Sequence, residues 1–170
     1  IGLALVLQIP DEQWQRLLAL MGNEGADVLL DSVIAIRQPE RKIGQSLCFP
    51  KAYKRLLQVI QAAPEQRPQL LRDYLDSWFP SLQNAGHPSF PKDHRTPYWW
   101  EYCEDFERGY YGCWCVEAVA VAKAFNIDDS LCLDHPYYPG DLIQDGRCPR
   151  YPDPPEATPR SWFSRVFGKK

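Results

Sequence analysis

Between Tyr110 and Phe125 the chain reads "YYGCWCVEAVAVAKAF", a run in which only Glu117 and Lys123 are charged. A helix that is apolar nearly all round must be covered on every side by other elements. This run therefore demands a fold with several partners packed around one central element. The spacing predicts a central helix over about 104–125, with Ala118, Ala120, Ala122 and Ala124 letting neighbours approach closely. Phe106, Tyr110, Cys113, Glu117, Ala120 and Ala124 share one helical stripe, which sets Glu117 in an apolar face. A carboxylate so placed is costly unless hydrogen-bonded, so Glu117 reads first as a structural anchor.

The partners are visible upstream. Residues 1–7 read as the end of a helix. "PDEQWQRLLALM" opens a second, with Pro10 in the first turn, Asp11 and Glu12 at its positive end, and Trp14, Leu17, Leu18 and Met21 at helical spacing. Residues 25–36 give a third, with Leu29, Leu30, Val33 and Ile34 inward. "FPKAYKRLLQVIQAA" gives a fourth between Pro50 and Pro64. "RPQLLRDYLDSWF" gives a fifth, stopped by Pro80. Pro80, Pro88, Pro91 and Pro97, with His87 and His94 among them, mark a long loop. No alternating strand of useful length interrupts this pattern. The expected fold is all-α, a multi-helix bundle in one domain over 1–145. Residues 146–170 read as a proline-rich tail with a basic, aromatic end. The chain starts at Ile1 inside the apolar stretch "IGLALVLQI", which suggests a fragment of a longer protein.

No apolar run approaches the roughly 18 residues of a membrane span. The six cysteines at 48, 103, 113, 115, 132 and 148 form no CxxC pair and fall below the density of a disulfide scaffold, which points to a reduced, cytoplasmic setting. Cys113 and Cys115 would point to opposite sides of a helix and cannot jointly chelate, and His94 with Cys103 lacks zinc-ligand spacing. No metal or cofactor is expected. The formal charge is −3, but residues 101–145 hold ten acids against two bases, a balance of −8. An acidic surface argues against direct nucleic-acid binding and favours a basic protein partner.

The densest acidic phrase is "NIDDSLCLDHPYYPGDL", residues 126–142. Asn126 can end the central helix in a left-handed conformation. Asp128 or Asp129 can cap a short turn over "SLCL". His135 and Tyr138 each precede proline and are held extended. Pro139-Gly140 suits a type II turn, and Asp141 can cap the backbone just after it. The phrase divides between these local roles and a stiff, tyrosine-bearing surface for a partner. The catalytic signatures GxSxG, HExxH and the P-loop are absent. Asp31 with Glu40-Arg41-Lys42 resembles half of a nuclease metal site, but that site needs strands and Asp31 lies in a helical pattern.

"YYGCWCVEAVAVAKAFNIDDSLCLDHPYYPGDL" and "RKIGQSLCFPKAYKRLL" together resemble the C-terminal domain of the PoNi family, polymorphic-toxin nuclease immunity proteins. The resemblance covers about residues 1–145. It implies an all-helical, non-enzymatic bacterial protein that neutralises a cognate nuclease toxin delivered between bacteria, often by type VI secretion. It also implies that much of the family's N-terminal half is absent from this chain. Cys113 and Cys115 flanking Trp114, and the basic tail, are not part of the signature. The candidate partner-binding residues are Glu101, Glu104, Asp105, Asp128, Asp129, Asp134, Tyr137, Tyr138 and Asp141, with Trp114 and Glu117 as structural residues. Other readings are a metal-dependent hydrolase using Glu117 and the Asp128–Asp141 cluster, and a structural helical adaptor.

Overall fold

A computed structural model describes residues 1–103 and 112–149. Among the described residues six helices carry the fold: α1 (Gly2–Val6), α2 (Asp11–Met21), α3 (Val28–Ala35), α4 (Pro50–Gln61), α5 (Arg67–Ser81) and α6 (Val116–Ala124). Short 3-10 turns cover Pro64–Gln66, Lys92–His94, Ser130–Cys132 and Gly140–Leu142. Among the described residues there is no strand, so the architecture is all-α as the periodicity predicts.

The central element is α6. Ala118, Val119, Ala120, Val121 and Ala122 are all buried, and α1, α3 and α5 pack around it. Small side chains make that possible. Gly2 of α1 lies so close that a Cβ there would stand 3.1 Å from Ala120 Cβ. The α4–α5 pair forms the adjoining wall. Ala52, Leu56 and Val59 of α4 face Leu71, Tyr74, Leu75 and Trp78 of α5 within one buried cluster.

Three expectations are corrected. The central helix begins at Val116, not near 104. Residues 112–115 are not helical, and 104–111, with Glu104, Asp105, Phe106 and Tyr110, lie outside the described residues. Gly112 has φ +80, a backbone conformation that suits glycine, and Cys115 N–H donates to Tyr137 O at 2.8 Å instead of to a helical carbonyl. Second, Cys103 and Cys113 form a disulfide, with Cα atoms 5.6 Å apart. A continuous helix would hold them roughly 15 Å apart. Cys48, Cys115, Cys132 and Cys148 are free thiols. Third, Pro80 lies inside α5, not beyond it. Its fixed φ is compatible with a last helical turn, and the helix closes with Leu82 and Gln83 N–H donating to Phe79 and Pro80 carbonyls.

The loop between α3 and α4 is organised by a buried ion pair. Asp31 and Arg41 are both buried. Arg41 Nε donates to Asp31 Oδ1 at 2.8 Å, and Gly44 and Asp27 N–H donate to Oδ2 at 3.1 and 3.3 Å. Both carboxylate oxygens of the nuclease-like half-motif are thus committed to holding the loop. Among the described residues no group of His, Cys, Asp and Glu is arranged to hold a metal ion. No described helix is long and apolar enough to cross a membrane.

Candidate functional site

Asn126 ends α6 at φ +48. Ile127 N–H donates to Ala122 O and Asn126 N–H to Lys123 O, the Schellman pattern that caps a helix C-terminus. The chain then enters the acidic phrase. Asp128 Oδ1 accepts Ser130 N–H at 3.0 Å. These Ser130 hydrogen bonds, aided by Arg147, hold the exposed Asp128 carboxyl below its ordinary range. The expected type II turn is replaced by a tighter one. Pro139 sits at φ −84, ψ 62 and Gly140 N–H reaches Tyr138 O at 3.0 Å, an inverse γ-turn that leads into the Gly140–Leu142 turn.

The phrase is sorted by depth. Asp129 and Tyr138 are each only 3% exposed. Tyr138 O–H donates to Asp129 Oδ2 at 2.5 Å, and Arg147 donates to both Asp129 oxygens, from Nη1 to Oδ2 at 2.9 Å. Burial and the Asp129 charge push the Tyr138 hydroxyl far above its ordinary value, so it stays a donor. These two candidate contact residues are buried and hold the loop together from inside. Asp141 Oδ1 accepts Cys148 N–H at 2.9 Å. Together with Arg147, this ties residues 147–148 back onto the phrase.

Asp134 lies outside, with a 70% exposed side chain. Its carboxylate meets Arg72 of α5 at 2.5 Å, and the guanidinium also donates to Leu131 O at 2.6 Å. That pairing lowers the Asp134 pKa and raises that of Arg72. The neighbouring His135 is buried. Its Nδ1 accepts Tyr137 N–H at 3.1 Å, and its Nε2 lies 3.3 Å from Asp76 Oδ1. Burial, then the Arg72 charge, pulls its pKa below the imidazole value, against the opposing pull of Asp76 and Asp134.

Tyr137 is half-buried, with ring centroids 5.6 Å from Trp78, 5.3 Å from Phe79 and 5.4 Å from His135. The same two α5 rings carry the segment before Glu101. Trp99 stacks on Trp78, Trp100 stacks on Phe79 at 5.3 Å, and Trp100 Nε1–H donates to Phe79 O. The acidic loop, through Tyr137, and the Glu101 segment, through Trp99 and Trp100, thus meet on one aromatic wall. Glu101 is exposed. Tyr98 is 84% and Trp114 55% exposed.

Trp114, expected as a structural residue, packs on its own segment. Its indole lies over Gly112, where a Cβ would come within 2.6 Å of the ring, and the rest of it faces solvent. Glu117 is half-buried, not enclosed. It accepts Tyr53 O–H at 3.1 Å, and Cys115 Sγ lies 3.9 Å from its other oxygen. The structure therefore brings Asp128, Asp134 and Tyr137 into one region with Asp129, Tyr138 and Asp141 beneath or beside them. Arg72, Arg147 and Tyr53 are the participants that the sequence pattern did not single out.

A family model described as PoNe immunity proteins (PoNi), C-terminal, matches residues 25–142. That span includes the Asp31–Arg41 loop, the α4–α5 wall, α6 and the acidic phrase to Leu142. No curated protein and no solved structure matches the chain. The chain belongs to the PoNi family of immunity proteins.

Proposed function

We propose that this chain neutralises one cognate nuclease toxin by binding it as a protein, in a bacterium exposed to toxins delivered by type VI secretion during interbacterial competition. The family match over residues 25–142 carries the reading. The physical logic is that a nuclease presents a basic surface to hold phosphates, and an acidic protein can compete for it. The supporting residues are the exposed Asp128 and Asp134 of the loop, with the exposed Glu101, Tyr98 and Trp114. Asp129, Tyr138 and Asp141 contribute by fixing the loop's shape. A surface already held by turns and ion pairs loses little entropy on docking. No catalytic step by the chain itself is required.

The test uses a nuclease toxin of the kind this family neutralises. The purified chain should bind it stoichiometrically and stop DNA cleavage, with association that slows as salt is raised. Asp128→Lys combined with Glu101→Lys should slow association while leaving the melting curve intact. Failure of the wild-type chain to bind or protect, or DNA turnover by the chain alone with added divalent metal, would overturn the proposal.

A further inference from the structure

Outside the acidic phrase the fold contains a cavity of about 390 Å³ between α1, α3, α4 and α6. Leu29, Leu56 and Val121 form its buried floor, and Asn23, Cys48 and Phe49 its exposed rim. The walls are almost wholly apolar, yet two carboxylates, Asp27 and Glu117, line it, and no lysine, arginine or histidine does. Lys42 lays its stem against Gly25, outside this lining.

The two carboxylates differ. Asp27 caps α3: Leu30 N–H donates to Oδ1 at 2.9 Å and Cys48 N–H to Oδ2 at 2.7 Å. Its oxygens are committed to the backbone. Glu117 Oε1 takes the Tyr53 hydroxyl at 3.1 Å, while among the described residues Oε2 has only the long Cys115 thiol contact at 3.9 Å. Burial, with the Glu117 charge second, pushes the Tyr53 hydroxyl well above its ordinary value. Tyr53 thus remains a fixed donor that orients the carboxylate. No cation among the described residues forms an ion pair with Glu117.

We infer that this cavity is a socket for a lysine side chain presented by the toxin. A lysine has an aliphatic stem for the apolar walls and a point charge for one carboxylate oxygen. Arginine fits less well, because its planar fork is best met by both oxygens and Tyr53 already holds one. The volume lies within the range of small-ligand sites, roughly 300–1,000 Å³, leaving room for an apolar neighbour of the lysine to enter with it. The toxin as source rests on the immunity reading above; the chemistry of the cavity does not.

Two experiments separate these layers. In the first, the full chain is titrated with n-butylammonium, n-butanol and butyrate while the methyl resonances of Leu30, Val33 and Val121 are followed by NMR. Saturable shifts are expected with n-butylammonium and none with butyrate. Glu117→Gln, which keeps an acceptor for Tyr53, should weaken the cation's binding roughly tenfold. Equal shifts with n-butanol, no response to any probe, or unchanged binding in Glu117→Gln would overturn the socket. In the second, binding to the catalytically inactivated toxin is measured for wild type, Glu117→Gln and Tyr53→Phe, each with a melting curve. Both variants should dissociate faster by roughly tenfold or more at unchanged stability. Unchanged dissociation with wild-type binding intact would remove the toxin as the source of the lysine. Loss of wild-type binding would instead sink the immunity reading, and the n-butylammonium titration would still decide the cavity.

Discussion

Asp129→Ala separates folding from recognition within the acidic phrase. The side chain is almost fully buried and satisfies two partners at once, the Tyr138 hydroxyl at 2.5 Å and the Arg147 guanidinium. Its removal strands both. A buried hydroxyl left without its acceptor costs about 1–3 kcal/mol. Breaking a buried ion pair costs about 3–5 kcal/mol, but the Arg147 side chain is 25% exposed and can turn to water, so the lower part of that range applies. The two effects share one carboxylate and are not additive, which leaves about 3 kcal/mol. For a chain of this size each kcal/mol lowers Tm by roughly 2–4 °C, so the expected drop is about 6–12 °C by circular dichroism. Asp129→Asn, which keeps one acceptor for Tyr138, should fall between the two. Asp128→Asn is the surface control, because Asp128 is exposed and its hydrogen bonds go to Ser130 of the same turn. A Tm for Asp129→Ala within about 2 °C of wild type, less than 1 kcal/mol, would refute the assignment of Asp129 to the interior.

The same geometry makes three other sites testable. Burial and Arg72 hold His135 below its ordinary value of 6.5. The folded chain therefore resists a proton that the unfolded chain accepts. Its contribution to stability is complete above about pH 6.5 and is lost as pH falls below it. A Tm profile from pH 8 to 5.5 should slope downward toward acid, and His135→Asn should flatten it; an identical slope would locate the titration elsewhere. Cys103 and Cys113 close a loop with a sequence separation of 10, worth about 2–3 kcal/mol through the unfolded state. Cys103→Ser should lower Tm relative to the oxidised wild type, and the two should converge in reductant. Asp31→Ala removes the partner of buried Arg41 and should cost about 3–5 kcal/mol, visible as a lower urea midpoint; a midpoint near that of wild type would show that the α3–α4 loop stands without the pair.

The helices that sequence pattern placed well are those bounded by local signals. α4 starts at Pro50 and ends before Pro64, and α3 opens at Asp27, whose side chain accepts Leu30 N–H. Their apolar residues recur on one face, so propensity, cap and burial agree. The start of α6 is different. Its composition stays apolar well upstream of Val116, and composition alone extends the helix. What stops it is the bond from Cys115 N–H to Tyr137 O and the disulfide from Cys113 to Cys103. Both partners are distant in sequence. Gly112 is the one local hint, since a glycine at a helix start marks a backbone that has turned elsewhere.

The acidic phrase was legible as local structure and much less so as a charged surface. Asn126 as a left-handed stop and Asp128 as a cap follow from residue type alone. The depth of Asp129 does not, because it depends on Arg147, beyond the expected end of the domain, and on a tyrosine hydroxyl that a surface reading would point outward. Arg72 likewise reaches Asp134 from α5. A balance of −8 over residues 101–145 counts each acid as free for a partner, but two of the four aspartates between 128 and 141 already face arginines from outside that segment. Long-range attraction of a basic toxin depends on the summed charge, which those arginines reduce. Short-range selection depends on which groups still lack a partner. By that criterion Glu117 stands out among the described residues, its Oε2 met by nothing nearer than the Cys115 thiol, in a cavity set apart from the phrase that dominates the sequence.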